Sequence, residues 1–570
     1  MSTHPQRLRV AAAVATLPLL LGISACVTPS EPVVATDTES VMHHQNELVP
    51  EGARWTQHYF PSSDDSDVEL HADVLLPQDL DDGEKVPVIL SVGAYFAHGG
   101  EVKPDPELTH PGPSDRFEDL YEGTDLFDRD YALVQVDLRG FGGSTGCLDF
   151  MGAGEQADVE AAIDWAASQP WSTGSVGMYG KSYDAVTGLV GNNLQNDALK
   201  AVVAQAPLWD PQTSIRSNGV PRSAMVDSSR SYNEAAVIPA LPDDNSRYQK
   251  NAAYEAENPE CTPLNSLGYQ TADPNSEYWT TRDLAARAEG SDTPLLFTQG
   301  LLESITEPNA MEEFLTNHDG PERGWIGQWN HVRGSDLNAD GKPVTGRDGW
   351  FDETMAFYDE YLKGIEPDVE YPDFVVQDST GSWRAQDAWP VVDSTVPVTL
   401  ASGRYVDDGA EGDPAVQTDN SYFTWSEPVT EATRITGLPT VTLNAEGHGN
   451  VMVKMYDVAP DGTGTVINDK VSTLAPGTTS FPLKSTDWTL PEGHSLAVEI
   501  GTIEAGAFSN WIDSPSNETI TVSSAQLDLS LLDPANDMKL EGGQADYMAT
   551  YLSVSQYPLE VQPGTFSLAE

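Results

Sequence analysis

Residues 176–188, Val-Gly-Met-Tyr-Gly-Lys-Ser-Tyr-Asp-Ala-Val-Thr-Gly, leave the chain few ways to fold. The apolar run 176–179 has the texture of a buried strand end, Gly180 and Ala185 are small, and residues 187–194 can continue as a helix. A serine squeezed between strand and helix by small neighbours is the nucleophile-elbow arrangement, in which a sharp turn lifts a weakly nucleophilic hydroxyl clear of the sheet to where a base can reach it. That serine is Ser182. The stretch departs from Gly-x-Ser-x-Gly, and we take Ala185, one methyl group larger, to stand in the final glycine's place. The competing reading is an ordinary strand-to-helix turn that happens to contain a serine.

The flanking sequence favours the elbow. Residues 55–76 alternate in short runs that read as an edge hairpin ending at Pro77, and residues 86–92 (VPVILSV) form a continuous β-branched run, as expected for a parallel strand covered on both faces. Residues 131–136, 201–205, 294–298 and 324–328 read as further buried strands; residues 117–129, 154–168, 307–317 and 350–363 read as helices. This alternation predicts an α/β domain built on a mostly parallel sheet, over residues 53–389. Residues 208–292 turn polar and helical, and we expect a cap inserted over the active face. After Trp389-Pro390 the texture becomes all-β, with short alternating runs separated by Gly, Pro, Asp and Asn, which predicts a β-sandwich over residues 390–570.

Composition bounds the partners. Among 570 residues, Lys+Arg number 29 and Asp+Glu 89, for a net charge of −60. Such a polyanion is repelled by nucleic acid and by anionic membrane surfaces. Arg7 and Arg9 precede an apolar stretch, residues 10–23, too short for a comfortable membrane span, and Ile23-Ser24-Ala25-Cys26 resembles the bacterial lipobox. We therefore expect a signal peptide over residues 1–26, lipidation of Cys26, a flexible tether over residues 27–52, and an extracytoplasmic location held to the membrane by that anchor or secreted. The two remaining cysteines, Cys147 and Cys261, read as a disulfide in an oxidising compartment. No cluster has metal-ligand spacing, and the expected chemistry needs no cofactor.

A serine nucleophile needs a base and an orienting acid, which in α/β-hydrolase order follow it as serine, acid, histidine. Beyond Ser182 lie His318, His331, His448 and His494. His331 follows a core strand on the elbow's edge, His318 ends a helix on the opposite edge, and the other two fall in the all-β region. Glu303 sits just past the strand 294–298, whereas Asp292 precedes it and Asp336 and Asp340 come too late. The triad read from position is Ser182, Glu303 and His331. For the oxyanion, the Tyr183 N–H follows the nucleophile directly, and the Tyr95 hydroxyl lies just past the strand 86–92; His98-Gly99-Gly100 resembles the H-G-G loop of lipases but lies farther from the strand end.

Together, the elbow with its Tyr183, Arg139-Gly140-Phe141-Gly142-Gly143-Ser144, Gln169-Pro170-Trp171, Gly300-Leu301-Leu302-Glu303, Trp329-Asn330-His331 and the late β region resemble the cocaine esterase and X-prolyl dipeptidyl-peptidase family of serine hydrolases, peptidase family S15. The resemblance implies an α/β-hydrolase domain with a cap and a C-terminal jelly roll, an oxyanion hydroxyl at Tyr95, and catalytic Ser182, Glu303 and His331. The chain departs from the family in having glutamate where aspartate is usual and Ala185 where a glycine is usual. The family includes esterases, acylases and dipeptidyl-peptidases, so the expected substrate is a small ester or amide or a peptide. With only a tether ahead of residue 55, an esterase or acylase is the preferred expectation. A dipeptidyl-peptidase needs cap carboxylates for the substrate's ammonium, and Glu234, Glu255 and Glu257 are the candidates. A non-catalytic, envelope-binding lipoprotein is the reading from a different class.

Overall fold

The computed structural model describes residues 41–42, 46–64, 66–409, 420–504, 511–512 and 514–568. Cys26 and the proposed signal peptide lie outside the described residues. Strands β1 (Val41–Met42), β2 (Ala53–Pro61), β3 (Glu69–Pro77), β4 (Val86–Gly93), β5 (Ala132–Asp137), β6 (Ser172–Lys181), β7 (Leu199–Gln205), β8 (Leu295–Gly300), β9 (Glu322–Gly327), β10 (Phe374–Gln377) and β11 (Trp383–Gln386) belong to one sheet. Its order is β1-β2-β3-β5-β4-β6-β7-β8-β9-β10-β11, and the run from β5 to β10 is parallel. Apart from Lys200, β4 and β7 are buried along their length, which is why residues such as Val88, Ile89, Leu90, Val202 and Val203 alternate no polar positions. Parallel strands need crossovers, supplied by helices α1 (Glu118–Gly123), α2 (Ala153–Ser168), α3 (Tyr183–Leu194) and α4 (Trp350–Lys363), the last ending at Gly364 with φ 69°.

Two expected helices are shorter than the sequence suggests. Over residues 117–129 only α1 forms, because Asp125 and Asp130 adopt positive φ. Over residues 307–317 the helix begins only at Met311, after Pro308 and a left-handed Ala310. Between β7 and β8 the cap consists of short helices, including Ser228–Ala235, Ser246–Ala252 and Cys261–Tyr269. The Cys147–Cys261 disulfide ties the cap to the loop after β5.

From Ser394 onward the strands other than Met538–Leu540 form two antiparallel sheets, one centred on Thr433–Glu446 and Thr519–Leu532, the other on Gly449–Val458 and Ser495–Gly501. Their inner faces share a core that includes Val441, Leu443, Val453, Met455, Val498, Ile500 and Leu527. Leu302, from the loop after β8, buries its side chain in this same core, and the strand Met538–Leu540 adds to the edge of the first sheet beside β11. A buried ionic network crosses the junction: Arg384 of β11 donates to both oxygens of Asp487, at 2.9 and 2.5 Å, and Arg434 donates to Asp537 at 2.7 Å and Asp378 at 3.1 Å. Removing one partner leaves a buried guanidinium uncompensated. Asp487→Asn is accordingly expected to lower stability by about 3–5 kcal/mol, read from the urea midpoint; an unchanged midpoint contradicts this.

Candidate active site

The elbow is built as sterics require. Ser182 has φ 65° and ψ −122°, a conformation that L-residues adopt only when their surroundings impose it. Its N–H is held by the Gln205 carbonyl of β7 at 2.9 Å, and its own carbonyl accepts from Val186 N–H in the first turn of α3. A side chain at Gly180 would place its Cβ 2.2 Å from the Asp184 carbonyl, so strand and helix meet only with glycine there. The alignment around Ser182 needs one correction: the residue two past the serine is Asp184, and Ala185 follows it. The Asp184 carboxylate lies against Gly93, where no side chain fits, and pairs with Arg116. Burial pushes this acid up to about 6, against the pull of Arg116.

Glu303 and His331 come together across neighbouring strands. Gly300, at the end of β8, packs directly on the Trp329 carbonyl, and Gly327, at the end of β9, packs on the Trp329 ring, bringing the two following loops into contact. His331 Nδ1 lies 3.1 Å from Glu303 Oε2 and 3.2 Å from the Thr306 hydroxyl. The other oxygen of Glu303 accepts from the Ile305 N–H at 2.7 Å and the Thr306 N–H at 3.2 Å. The extra methylene of glutamate is thus absorbed by a carboxylate that also caps its own loop. Burial alone would raise this acid, but His331 and the two backbone donors outweigh it and hold the carboxyl below the ordinary range. The neighbouring turn is anchored to the β-sandwich, with Lys470 Nζ 3.0 Å from Glu307 and 2.8 Å from Asn309. The other histidines past Ser182 sit elsewhere: His318 is held between Glu322 and the Thr293 carbonyl, and His494 by Asp457.

The Tyr95 side chain points into this site. Its hydroxyl reaches the Ser182 side chain and lies 2.7 Å from the Tyr232 hydroxyl of the cap. Burial pushes it up to about 12, despite Arg116 and these hydrogen bonds, so it remains a neutral O–H donor near neutral pH. The Tyr183 N–H lies at the N-terminus of α3, and the Tyr183 hydroxyl donates to Glu155 at 2.7 Å. Ser182 follows β6, Glu303 follows β8 and His331 follows β9, so all three stand at the C-terminal edge of the same parallel sheet, the order and edge that a serine, acid and histidine triad for acyl transfer would need. His98 of the His-Gly-Gly stretch is drawn away into a buried cluster with Asp73 and Asp244.

Two neighbours of the site carry no sequence signal. Arg116 stacks its guanidinium 3.8 Å above the Tyr95 ring while paired to Asp184 and Glu101. Tyr232 packs on Tyr183 at 5.0 Å and on Phe150 at 5.8 Å, giving the cap side of the site an aromatic wall. Tyr95→Phe is expected to lower kcat by about 100-fold with a small change in KM, as measured by steady-state kinetics, because the donor matters chiefly when charge develops on oxygen. An unchanged kcat removes the hydroxyl from this role.

Residues 65–333 match the family model described as X-Pro dipeptidyl-peptidase (S15 family), and residues 366–547 match the X-Pro dipeptidyl-peptidase C-terminal non-catalytic domain. The chain is 24% identical over 352 residues to a Streptomyces avermitilis protein named for Xaa-Pro dipeptidyl-peptidase activity, covering 58% of this chain and 48% of that protein. It is 27% identical over 330 residues to the cocaine esterase of a Rhodococcus strain, covering 51% of this chain and 56% of that enzyme. The matches thus span about half the length of these relatives. Among solved structures, an alpha-amino acid ester hydrolase superposes with a TM-score of 0.62 at 19% identity, covering 89% of this chain and all of that one, a likeness of fold.

Proposed function

The chain belongs to the X-Pro dipeptidyl-peptidase (S15) family, and from that premise we propose that it is an extracytoplasmic serine hydrolase that cleaves esters, or activated amides, through an acyl-enzyme on Ser182. The observation that carries this reading is the Tyr95 hydroxyl at the Ser182 side chain, on the same edge of the parallel sheet as the hydrogen-bonded His331–Glu303 pair. With Nδ1–H directed at Glu303, His331 presents a free Nε2 lone pair that can take the serine proton as Oγ attacks the substrate carbonyl. Tyr95 O–H and Tyr183 N–H donate to the oxyanion. The same Nε2 then returns the proton to the leaving oxygen or nitrogen, and a water molecule repeats the sequence to release the acid.

Preference for an ester or acylase substrate rests on the cap. Of its three candidate ammonium ligands, Glu255 is committed to the Leu148 N–H at 2.7 Å, and Glu234 and Glu257 are exposed on the surface. Phe150, Tyr183 and Tyr232 instead suit an apolar acyl group. One observation favours the dipeptidyl-peptidase reading: a cavity of about 500 Å³ bordered by Tyr95 and by Glu101, Asp105, Asp115 and Glu118 has the charge for a cationic group. Initial rates for residues 27–570 on a p-nitrophenyl butyrate and on an alanyl-prolyl p-nitroanilide separate the two. Ester turnover alone is expected; anilide turnover at comparable kcat/KM transfers the function to dipeptide release, and turnover of neither points to a binding protein. The location rests on the sequence of residues 7–26, and Cys26→Ala is expected to abolish metabolic labelling by palmitate.

A further inference from the structure

Two histidines and three aspartates, all buried, meet beside the loop that carries Tyr95. His71 and Asp73 stand two residues apart on β3 and so share a face; Asp137 ends the neighbouring β5; His98 lies three residues past Tyr95; Asp244 comes from the cap. Each imidazole is tied through Nδ1 to a carboxylate of its own: His71 to Asp137 at 2.8 Å and His98 to Asp244 at 2.6 Å. These bonds turn both Nε2 atoms toward Asp73, at 3.2 Å from His98 and 3.8 Å from His71. Buried His71 Nε2 has no hydrogen-bond partner among the described residues. Tyr248 stacks flat on His98 at 4.1 Å and meets His71 edge-on at 4.9 Å, and Trp55 Nε1 donates to Asp73 Oδ1 at 2.7 Å, so the rings are fixed in these orientations.

With each Nδ1–H given to a carboxylate, two nitrogen lone pairs face a third carboxylate in a buried, low-dielectric site, which is repulsive unless positive charge lies between them. A proton on His98 Nε2 would satisfy its contact with Asp73 at 3.2 Å but would leave His71 Nε2 unpartnered, and a second proton there would point at an oxygen 3.8 Å away, too far for a hydrogen bond. A divalent ion carries the same charge and bonds all three groups. The ligand atoms of His71, Asp73 and His98 already lie within 4.8 Å of one another. The Asp137 and Asp244 contacts are the outer carboxylates that orient and strengthen metal-binding imidazoles.

We propose that His71, Asp73 and His98 bind a divalent transition-metal ion, zinc by the chemistry of its ligands, with Asp137 and Asp244 orienting the two imidazoles. Two imidazoles and one carboxylate suit zinc among the common ions, with the fourth tetrahedral position left to a water molecule. The ion would brace the loop after β4 against β3 and against the cap helix Ser246–Ala252, whose Tyr248 hydroxyl accepts from the His98 N–H at 2.9 Å. It takes no part in the acyl transfer.

The test is the metal content of residues 27–570, made without a polyhistidine tag in zinc-supplemented medium and dialysed against a chelator. About one zinc per chain is expected, falling at least tenfold in His71→Gln and His98→Gln. In cobalt-supplemented medium, the wild type is expected to show the visible absorption of low-coordinate cobalt(II). Should the variants fail to fold, the wild type is unfolded with chelator and refolded with and without zinc chloride, and the zinc-refolded protein is expected to melt at higher temperature. Absence of stoichiometric metal from the wild type, together with no change in melting on refolding with zinc, cobalt, manganese, nickel or iron(II), overturns the site.

Discussion

Replacing Ser182 with alanine is expected to reduce kcat by about a million-fold, because in the proposed mechanism the acyl-enzyme forms on this hydroxyl and only binding and oxyanion stabilisation would survive its loss. The fold is expected to survive the change. Ser182 makes its structural bonds through the backbone, to Gln205 and Val186, and alanine keeps both. Ser182→Gly is the more telling partner. At φ 65° and ψ −122° a side chain is strained and glycine is not, so this variant is expected to be equally inactive yet about 1 kcal/mol more stable than the parent, read from its urea midpoint. Loss of activity with a gain in stability shows that the serine is kept for chemistry against its own backbone cost; loss of stability in Ser182→Gly refutes that.

Glu303→Gln is expected to cost about 10,000-fold in kcat with little change in KM, and the reason lies in the proton positions. The Ile305 and Thr306 N–H groups require an acceptor oxygen, so they fix the amide oxygen of glutamine on their side. The amide NH2 then faces His331 Nδ1, which must accept, and the imidazole proton moves to Nε2. An imidazole protonated there cannot take the serine proton. Glu303→Asp keeps the charge but retracts the carboxylate, and about 10–100-fold is expected, since one of its two sets of bonds must lengthen. If Glu303→Gln and Glu303→Asp are equally impaired, side-chain reach rather than proton placement is what this residue provides.

Legibility followed physical locality. The run at β4 and the periodic helix α4 with Gly364 behind it were plain, because burial on two faces and a left-handed C-cap each demand a particular composition. The placement of Ser182, Glu303 and His331 at one sheet edge was likewise legible, since each follows its own strand. Arg116 and Tyr232 were not: one lies in a long loop and the other in the cap, and each is placed by tertiary contact alone. The His71, Asp73 and His98 cluster was hidden for the same reason, since its residues and their outer carboxylates come from β3, two loops and a strand end and show no ligand spacing. The fit of glutamate at position 303 depended on two backbone N–H groups of its own loop, which composition cannot reveal.

The most direct measurement is reaction of residues 27–570 with a fluorophosphonate, followed by intact mass and peptide mapping. A single adduct is expected, on Ser182, formed far more slowly in Glu303→Gln and absent in Ser182→Ala. Ester turnover that persists in Ser182→Ala, or an adduct on any other residue, contradicts the assignment of Ser182, His331 and Glu303 as the reacting group and its base.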